Sequence, residues 1–202
     1  MTDRSALVLG GTGMLAGCVT MLLEQGWQVV LPSRRPSAAR RYDTGAGQMA
    51  RSALRPPGHT TTTTADREAN WVAADWTHPL ELAAKVNDVL ERPAELLVAW
   101  VHSSYRIPVM LAVAPFLAPQ APVVEVLGIS EIDSTRGLRD PVIEHHPTQQ
   151  VVLGYVRHHG ATRWLTHQEE SAGVLEAVRR ALDGRPSSVH QVGEVNRWLQ
   201  SR

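Results

Sequence analysis

The sequence predicts an α/β protein: one domain in which six to seven mostly parallel strands form a doubly wound sheet with helices on both faces. Two observations lead to this prediction. Short apolar runs alternate with stretches whose apolar residues recur at helical spacing. The first apolar run also passes directly into a glycine-rich turn and then into an amphipathic helix. A chain of 202 residues is long enough for one sizeable core, so we expect a single domain over residues 1–202.

The chain opens with a strand, a glycine-rich turn and a helix. The apolar run 6–9 predicts a buried strand, and the sequence Gly10-Gly11-Thr12-Gly13-Met14-Leu15 follows it directly. In such a turn Gly10 allows the tight bend, Gly13 lets the backbone approach a pyrophosphate, and the small Ala16 allows close packing of helix and strand. The N–H groups at the start of the helix favour a phosphate. We therefore predict that these six residues bind a dinucleotide; a glycine-rich turn without a ligand is the alternative.

Strands and helices alternate through the rest of the chain. Apolar runs predict strands at 27–31, 70–74, 96–101, 123–127 and 151–156, and an edge strand at 189–192. Helical spacing and end signals predict helices after a cap at Thr77, around 109–117, and from a capping box of Thr166 and Glu169 to Gly184. Connected in this order, the elements predict a Rossmann fold with the strand order 3-2-1-4-5-6.

Two segments do not fit this alternation. Residues 40–69 contain Pro56-Pro57-Gly58 and a run of five threonines, and the part 44–69 is predicted to be a mobile surface loop. Residues 128–150 contain few helix signals. This second segment is either an active-site loop or an irregular crossover.

Charge and composition exclude several classes of partner. The chain carries 20 basic and 20 acidic side chains without a basic block, which argues against nucleic acid and anionic membranes. Cys18 is the only cysteine, so an internal disulfide is excluded. The histidine pairs 145–146 and 158–159 match no common zinc spacing, and no metal site is predicted. We expect a cytoplasmic protein, because no signal-peptide pattern and no membrane-length apolar run is present.

The residues after the second predicted strand indicate which nucleotide the site prefers. Ser33, Arg34 and Arg35 stand where NAD sites place an acidic residue for the ribose 2′-hydroxyl, and arginine suits a 2′-phosphate instead. The cofactor is therefore predicted to be NADP, with NAD less favoured; arginines on the solvated start of a helix are the alternative. Asp75 is predicted to accept a hydrogen bond from the adenine amino group, and Trp76 to lie against the adenine ring. A turn or cap role is the alternative for Asp75.

Polar residues after strands four and five are the candidates for catalysis, since ligands of open α/β sheets bind at the carboxyl ends of the strands. His102 is the candidate general acid because imidazole titrates near neutrality. Ser130 and Ser103 are placed to hydrogen-bond the reacting oxygen, and Tyr105 is a second candidate acid. His102 and Ser103 are also predicted cofactor contacts. The alternative for His102 is a hydrogen bond to the backbone or to the cofactor ribose, and for the serines it is turn chemistry.

These motifs resemble those of the short-chain dehydrogenase/reductase superfamily, in its atypical small-domain branch of compact bacterial proteins. The resemblance lies in the turn 10–16, in Ser33-Arg34 and in Ala74-Asp75. It implies a Rossmann fold, nucleotide binding and a homodimer or homotetramer, and Ser130 matches the position of the superfamily's catalytic serine. The chain departs from the superfamily at its Tyr-x-x-x-Lys pair, because Lys85 is the only lysine and no tyrosine precedes it by four residues.

Two functions of different classes follow from the sequence. The first is an NADPH-dependent reductase that acts on a small carbonyl or imine substrate held near His102 and Ser130. The second is a sensor or scaffold protein that keeps the NADP(H) site without the catalytic pair. An epimerase or lyase that holds its cofactor permanently is a third hypothesis.

Overall fold

The computed structural model describes residues 4–11, 13–34, 69–129, 138, 140–158 and 161–195. The described elements are β1 (Ser5–Leu9), α1 (Ala16–Glu24), β2 (Gln28–Ser33), β3 (Asn70–Ala73), α2 (Pro79–Val89), β4 (Leu96–Ala99), α3 (Ser103–Val113), β5 (Val123–Gly128), β6 (Thr148–Leu153), β7 (Tyr155–His158), β8 (Ala161–Trp164), α4 (His167–Leu182) and β9 (Ser188–Val192). Seven strands form one parallel sheet in the order β3-β2-β1-β4-β5-β6-β9. The strands β7 and β8 pair as a separate antiparallel hairpin. The predicted Rossmann fold is confirmed.

The helices cover the two faces of the sheet in pairs. α1 and α4 pack on one face, and α2 and α3 pack on the other. The connection through α1 runs toward the β3 end of the sheet on one face. The connections through α2 and α3 run toward the β9 end on the opposite face. Because both the direction and the face are reversed, all three connections have the same hand. The connection through α4 also runs toward β9 but lies on the face of α1, so its hand is opposite to the other three. Parallel connections are almost always right-handed, and this one is an exception.

α1 and α4 approach each other closely on their shared face. A Cβ atom on Gly17 would lie 2.6 Å from the hydroxyl oxygen of Ser171. Gly17 therefore permits this contact between the two helices. The sequence indicated its neighbour Ala16 for close packing of helix and strand. The predicted capping box of Thr166 and Glu169 is present at the start of α4. Burial in α1 raises the pKa of the Cys18 thiol to about 12, so the thiol stays protonated.

The end of the sheet near β6 differs from the prediction. β6 begins at residue 148, three residues earlier than predicted, because the polar residues 148–150 are buried in the sheet. The predicted strand 151–156 is divided in the structure, since residues 155–156 belong to the hairpin strand β7 and the chain leaves the sheet at Gly154. A Cβ atom there would lie 2.1 Å from the carbonyl oxygen of Glu194, so only glycine fits this junction.

Two helix starts also differ from the prediction. α3 begins at Ser103 rather than near residue 109, because His102 caps it there and the helix accommodates Pro108 at the cost of one backbone hydrogen bond. A 3-10 turn at Ala114–Phe116 follows it. The N-cap of α2 is His78 rather than Thr77, whose hydroxyl donates to Asp75 instead.

Parts of the two irregular segments lie outside the described residues. These are residues 44–68 of the predicted loop, and residues 130–137 and 139 of the segment 128–150. The described stretch 140–147 runs through bends and turns, which matches the irregular crossover between β5 and β6. Across the described part of the chain, no helix combines the length and the apolar character that crossing a bilayer requires.

A buried ion pair holds this crossover against the sheet. Arg106 of α3 and Glu125 of β5 form a salt bridge, and their exposed fractions are 4% and 1%. The Glu125 carboxylate also accepts from the backbone N–H of Val142 (2.9 Å) and from the side-chain amide of Gln150 (3.3 Å). Arg106 donates in addition to the carbonyl of Asp140 (3.4 Å). One carboxylate thus joins α3, β5, β6 and the crossover.

Replacing the carboxylate should therefore destabilise the fold strongly. We expect Glu125→Gln to lower the free energy of unfolding by about 3–5 kcal/mol, because it leaves the Arg106 charge buried and unpaired. Glu95→Gln, which breaks the exposed Arg4–Glu95 pair, should cost less than about 1 kcal/mol. Urea unfolding measures both changes. Equal costs for the two substitutions would contradict the assigned role of Glu125.

Candidate functional site

The predicted site residues gather at one edge of the sheet. This edge is formed by the carboxyl ends of the parallel strands, where ligands of open α/β sheets bind. The turn after β1, Ser33 and Arg34 at the end of β2, Asp75 after β3, and residues 102–105 after β4 all lie there. Thr12, Arg35 and Ser130 lie outside the described residues.

The glycine-rich turn is held tightly between β2 and β4. Gly10 has a φ of +81°, and a Cβ atom on it would lie 2.4 Å from the carbonyl oxygen of Trp100. Its N–H donates to the carbonyl of Pro32 (3.0 Å), and the N–H of Trp100 donates to the carbonyl of Leu9 (3.0 Å). Only glycine satisfies both the backbone conformation and the close approach. The turn is therefore a fixed part of the sheet edge.

In the described part of the turn the large side chains are buried and the backbone at Gly13 is accessible. Met14 and Leu15 pack into the core, and Gly11 is buried against Leu31. A Cβ atom on Gly13 would meet nothing within 4 Å, so this residue borders open space. The carbonyl of Gly13 accepts from the N–H of Ala16 (2.9 Å), which starts α1. A backbone-lined turn that opens into a helix fits a pyrophosphate, which is bound by N–H groups rather than by side chains.

At the end of β2, Ser33 is buried and Arg34 is exposed. The Ser33 hydroxyl accepts a hydrogen bond from the indole N–H of Trp71 (3.0 Å). The Ser33 carbonyl accepts from the N–H of Ala74 (3.0 Å). Sequence reasoning missed Trp71, because it looks like an ordinary strand residue until the pairing of β2 with β3 brings it beside Ser33.

Asp75 forms hydrogen bonds within its own turn. Its carboxylate accepts from the hydroxyl of Thr77 (2.6 Å), from the N–H of Thr77 (2.9 Å) and from the ring of His78 (3.1 Å). These bonds, the Thr77 hydroxyl first, lower the pKa of Asp75 to about 2. The geometry matches the turn alternative for Asp75, and its predicted contact with adenine stays a prediction.

Trp76 lies in the core beneath α2. Its side chain is 6% exposed and packs in the cluster that contains Val72 and Leu82. An adenine ring could contact only the edge that remains. The predicted stacking of Trp76 on adenine therefore stays a prediction, and little of the Trp76 side chain is exposed for such a contact.

His102 caps α3 from the carboxyl side of β4. Its Nδ1 atom accepts from the N–H of Ser104 (3.3 Å), which matches the backbone-bonded alternative for this histidine. Because Nδ1 accepts, the neutral ring carries its proton on Nε2, and the imidazole is exposed. The cap thus leaves one ring N–H available as a donor at the sheet edge.

The neighbours of His102 complete this end of the site. The centroids of the His102 and Tyr105 rings are 6.3 Å apart, and Tyr105 packs partly against the core. Ser103 is the half-buried first residue of α3. The structure therefore brings three of the four residues predicted for the β4–β5 region together on one helix start, and the fourth, Ser130, is not described.

Comparison with known proteins finds similar folds among solved structures. No protein-family model and no curated protein matches the sequence. A 3-oxoacyl-[acyl-carrier protein] reductase from Brucella melitensis is 12% identical with a TM-score of 0.58, over 96% of each chain. A carbonyl reductase from Pseudomonas aeruginosa is 15% identical with a TM-score of 0.56, over 94% of this chain and 96% of that one.

A third similar structure contains a nucleotide. It is a Burkholderia multivorans protein assigned as a short-chain dehydrogenase/reductase, with bound NADP. It is 16% identical with a TM-score of 0.56, over 97% of this chain and 100% of that chain. The chain thus has the short-chain dehydrogenase/reductase fold, as the sequence resemblance implied.

The close approach of Gly10 to Trp100 can be tested with a matched pair of glycines. Gly10 and Gly184 both have positive φ, but a Cβ atom on Gly184 would meet nothing within 4 Å. We expect Gly184→Ala to cost about 1 kcal/mol of unfolding free energy, from the backbone conformation alone. Gly10→Ala should cost about 3 kcal/mol or more, because it adds a clash with a backbone oxygen. If chemical denaturation gives equal costs, Gly10 is not sterically confined.

Proposed function

We propose that the chain is an NADPH-dependent oxidoreductase that reduces a small carbonyl or imine substrate. The observation that carries this proposal is the rigid glycine-rich turn, whose backbone faces open space at Gly13 beside the ends of β2 and β4. The carbonyl reductase and the NADP-bound protein of similar fold support the same reaction class. We further propose that the protein acts as a homodimer or homotetramer.

The residues at the sheet edge fit the parts of a dinucleotide in order. The backbone of residues 10–15 would hold the pyrophosphate, and the exposed Arg34 would pair with a ribose 2′-phosphate. Ser103 would contact the nicotinamide half, because it follows β4, the strand next to the turn. The cofactor, when bound, supplies the hydride.

His102 is the proposed proton donor. In its imidazolium form the ring would pass the Nε2 proton to the substrate oxygen or nitrogen as the neighbouring carbon gains the hydride, which leaves a neutral imidazole. Water then returns a proton to the ring. In the neutral ring, the hydrogen bond from the Ser104 N–H to Nδ1 holds the imidazole at the start of α3. Tyr105 and Ser130 remain the proposed partners for the same reacting atom.

Calorimetric titration tests the nucleotide site. We expect NADP and NADPH to bind more tightly than NAD and NADH. Arg34→Ala should weaken NADP binding about 10-fold and leave NAD binding within about 2-fold, because it removes one charge-assisted contact to the extra phosphate. The control is Arg92→Ala, an exposed arginine that precedes β4 at the opposite edge of the sheet. Absence of binding to all four nucleotides would overturn the proposed function.

Turnover is tested by NADPH oxidation with a panel of small carbonyls and imines. His102→Ala and His102→Asn should each lower kcat by about 10²–10⁴-fold, because both remove the proton donor. Asparagine keeps an N-cap, so His102→Asn should match the stability of the wild type, whereas His102→Ala should lose about 1 kcal/mol. Comparison of the two variants therefore separates the effect of the N-cap on stability from the effect of the proton donor on kcat. Tight binding without turnover on any substrate would favour the sensor or scaffold alternative, which requires NADP and NADPH to bind with different affinities.

A further inference from the structure

We propose that Trp71 is a positioning residue for recognition of the ribose 2′-phosphate. Its indole N–H holds the Ser33 hydroxyl and thereby fixes the end of β2 from which Arg34 extends. This inference rests on the proposed function, because it concerns how the same site distinguishes NADP from NAD.

The contact joins an exposed ring to a buried hydroxyl. Trp71 lies on the edge strand β3 opposite Leu31, and 39% of it is exposed. Its ring reaches along the sheet toward the carboxyl edge, where Nε1 lies 3.0 Å from the Ser33 hydroxyl oxygen. Only 2% of Ser33 is exposed, so its hydroxyl depends on hydrogen bonds from within the site rather than from bulk water. The indole supplies one of them.

Three hydrogen bonds contribute to holding the end of β2 in place. The Pro32 carbonyl accepts from the N–H of Gly10, and the Ser33 carbonyl accepts from the N–H of Ala74. These two bonds join backbone groups, so they do not depend on the Ser33 side chain. The third bond, from Trp71 to the Ser33 hydroxyl, depends on the side chains. A substitution of Trp71 therefore removes the third bond and leaves the two backbone bonds in place.

A fixed end of β2 matters most for the 2′-phosphate. Arginine carries a long, flexible side chain, and contact with a phosphate costs it conformational entropy. Anchoring the preceding residue fixes the backbone of Arg34 before the ligand arrives, so less freedom is lost on binding. NAD has no 2′-phosphate and gains nothing from this arrangement. Loss of the Trp71 bond should therefore weaken NADP binding selectively.

Calorimetry with the adenosine fragments isolates this effect. Trp71→Phe keeps an aromatic ring and removes the N–H donor. We expect it to weaken binding of 2′,5′-ADP about 3- to 10-fold and to leave 5′-AMP within about 2-fold. The control is Trp164→Phe, which alters an exposed tryptophan on the β7–β8 hairpin. Retained 5′-AMP binding also shows that each variant is folded.

A double-mutant cycle shows whether Trp71 acts through Ser33. In a Ser33→Ala background, Trp71→Phe should have no further effect on 2′,5′-ADP, because the acceptor is already gone. A wild-type protein that binds neither fragment overturns the proposed function and this inference with it. A wild type that prefers 2′,5′-ADP, combined with a Trp71→Phe variant that keeps the preference or weakens both fragments equally, overturns the inference alone. Additive effects of the two substitutions overturn it as well.

Discussion

The buried charge pair of Arg106 and Glu125 is the constraint that organises the centre of this molecule. A parallel connection usually covers its face of the sheet with a helix. In the described part of the β5–β6 connection, bends and turns take that place, and their backbone groups need partners. The Glu125 carboxylate accepts from the N–H of Val142, and the Arg106 guanidinium donates to the carbonyl of Asp140. Because Arg106 also belongs to the helix that His102 caps, the same pair steadies the start of α3 at the candidate site.

The sequence predicted the parts of the fold whose physics is local. The apolar runs of β1, β4 and β5, the glycine-rich turn and the capping box of α4 follow from residues close together in the chain. The start of β6 could not be found in this way, since its buried polar side chains find partners far away in the chain. Gln149 donates to the carbonyls of Arg185 and Pro186, and Gln150 donates to Glu125. A polar residue shows its burial only when its partners are known.

The candidate site also contains features that local sequence predicts and features that depend on residues far apart in the chain. The glycine-rich turn and Arg34 could be named from the pattern, because close backbone approach and positive charge are properties of residue type. The bond between Trp71 and Ser33 spans 38 residues of sequence and appears only when β2 and β3 pair. For His102 the sequence left a backbone bond and a catalytic role as alternatives. The structure shows the backbone bond at Nδ1, and the exposed ring leaves Nε2 for the proposed catalytic role.

The hairpin in the connection through α4 has a consequence for how this architecture can diversify. The hairpin of β7 and β8 occupies the path from β6 to α4 and pairs with the region after β9 at its base, through Tyr155 and Glu194. Among the described residues, β7 and β8 pair with each other and join no ladder of the seven-strand sheet. Insertions, deletions or exchanged side chains at the tip would therefore leave the register of every sheet strand intact. A change of length or side chain there costs the sheet little, whereas the close packing of Gly10 and Gly11 beside β1 and β2 leaves no room for one.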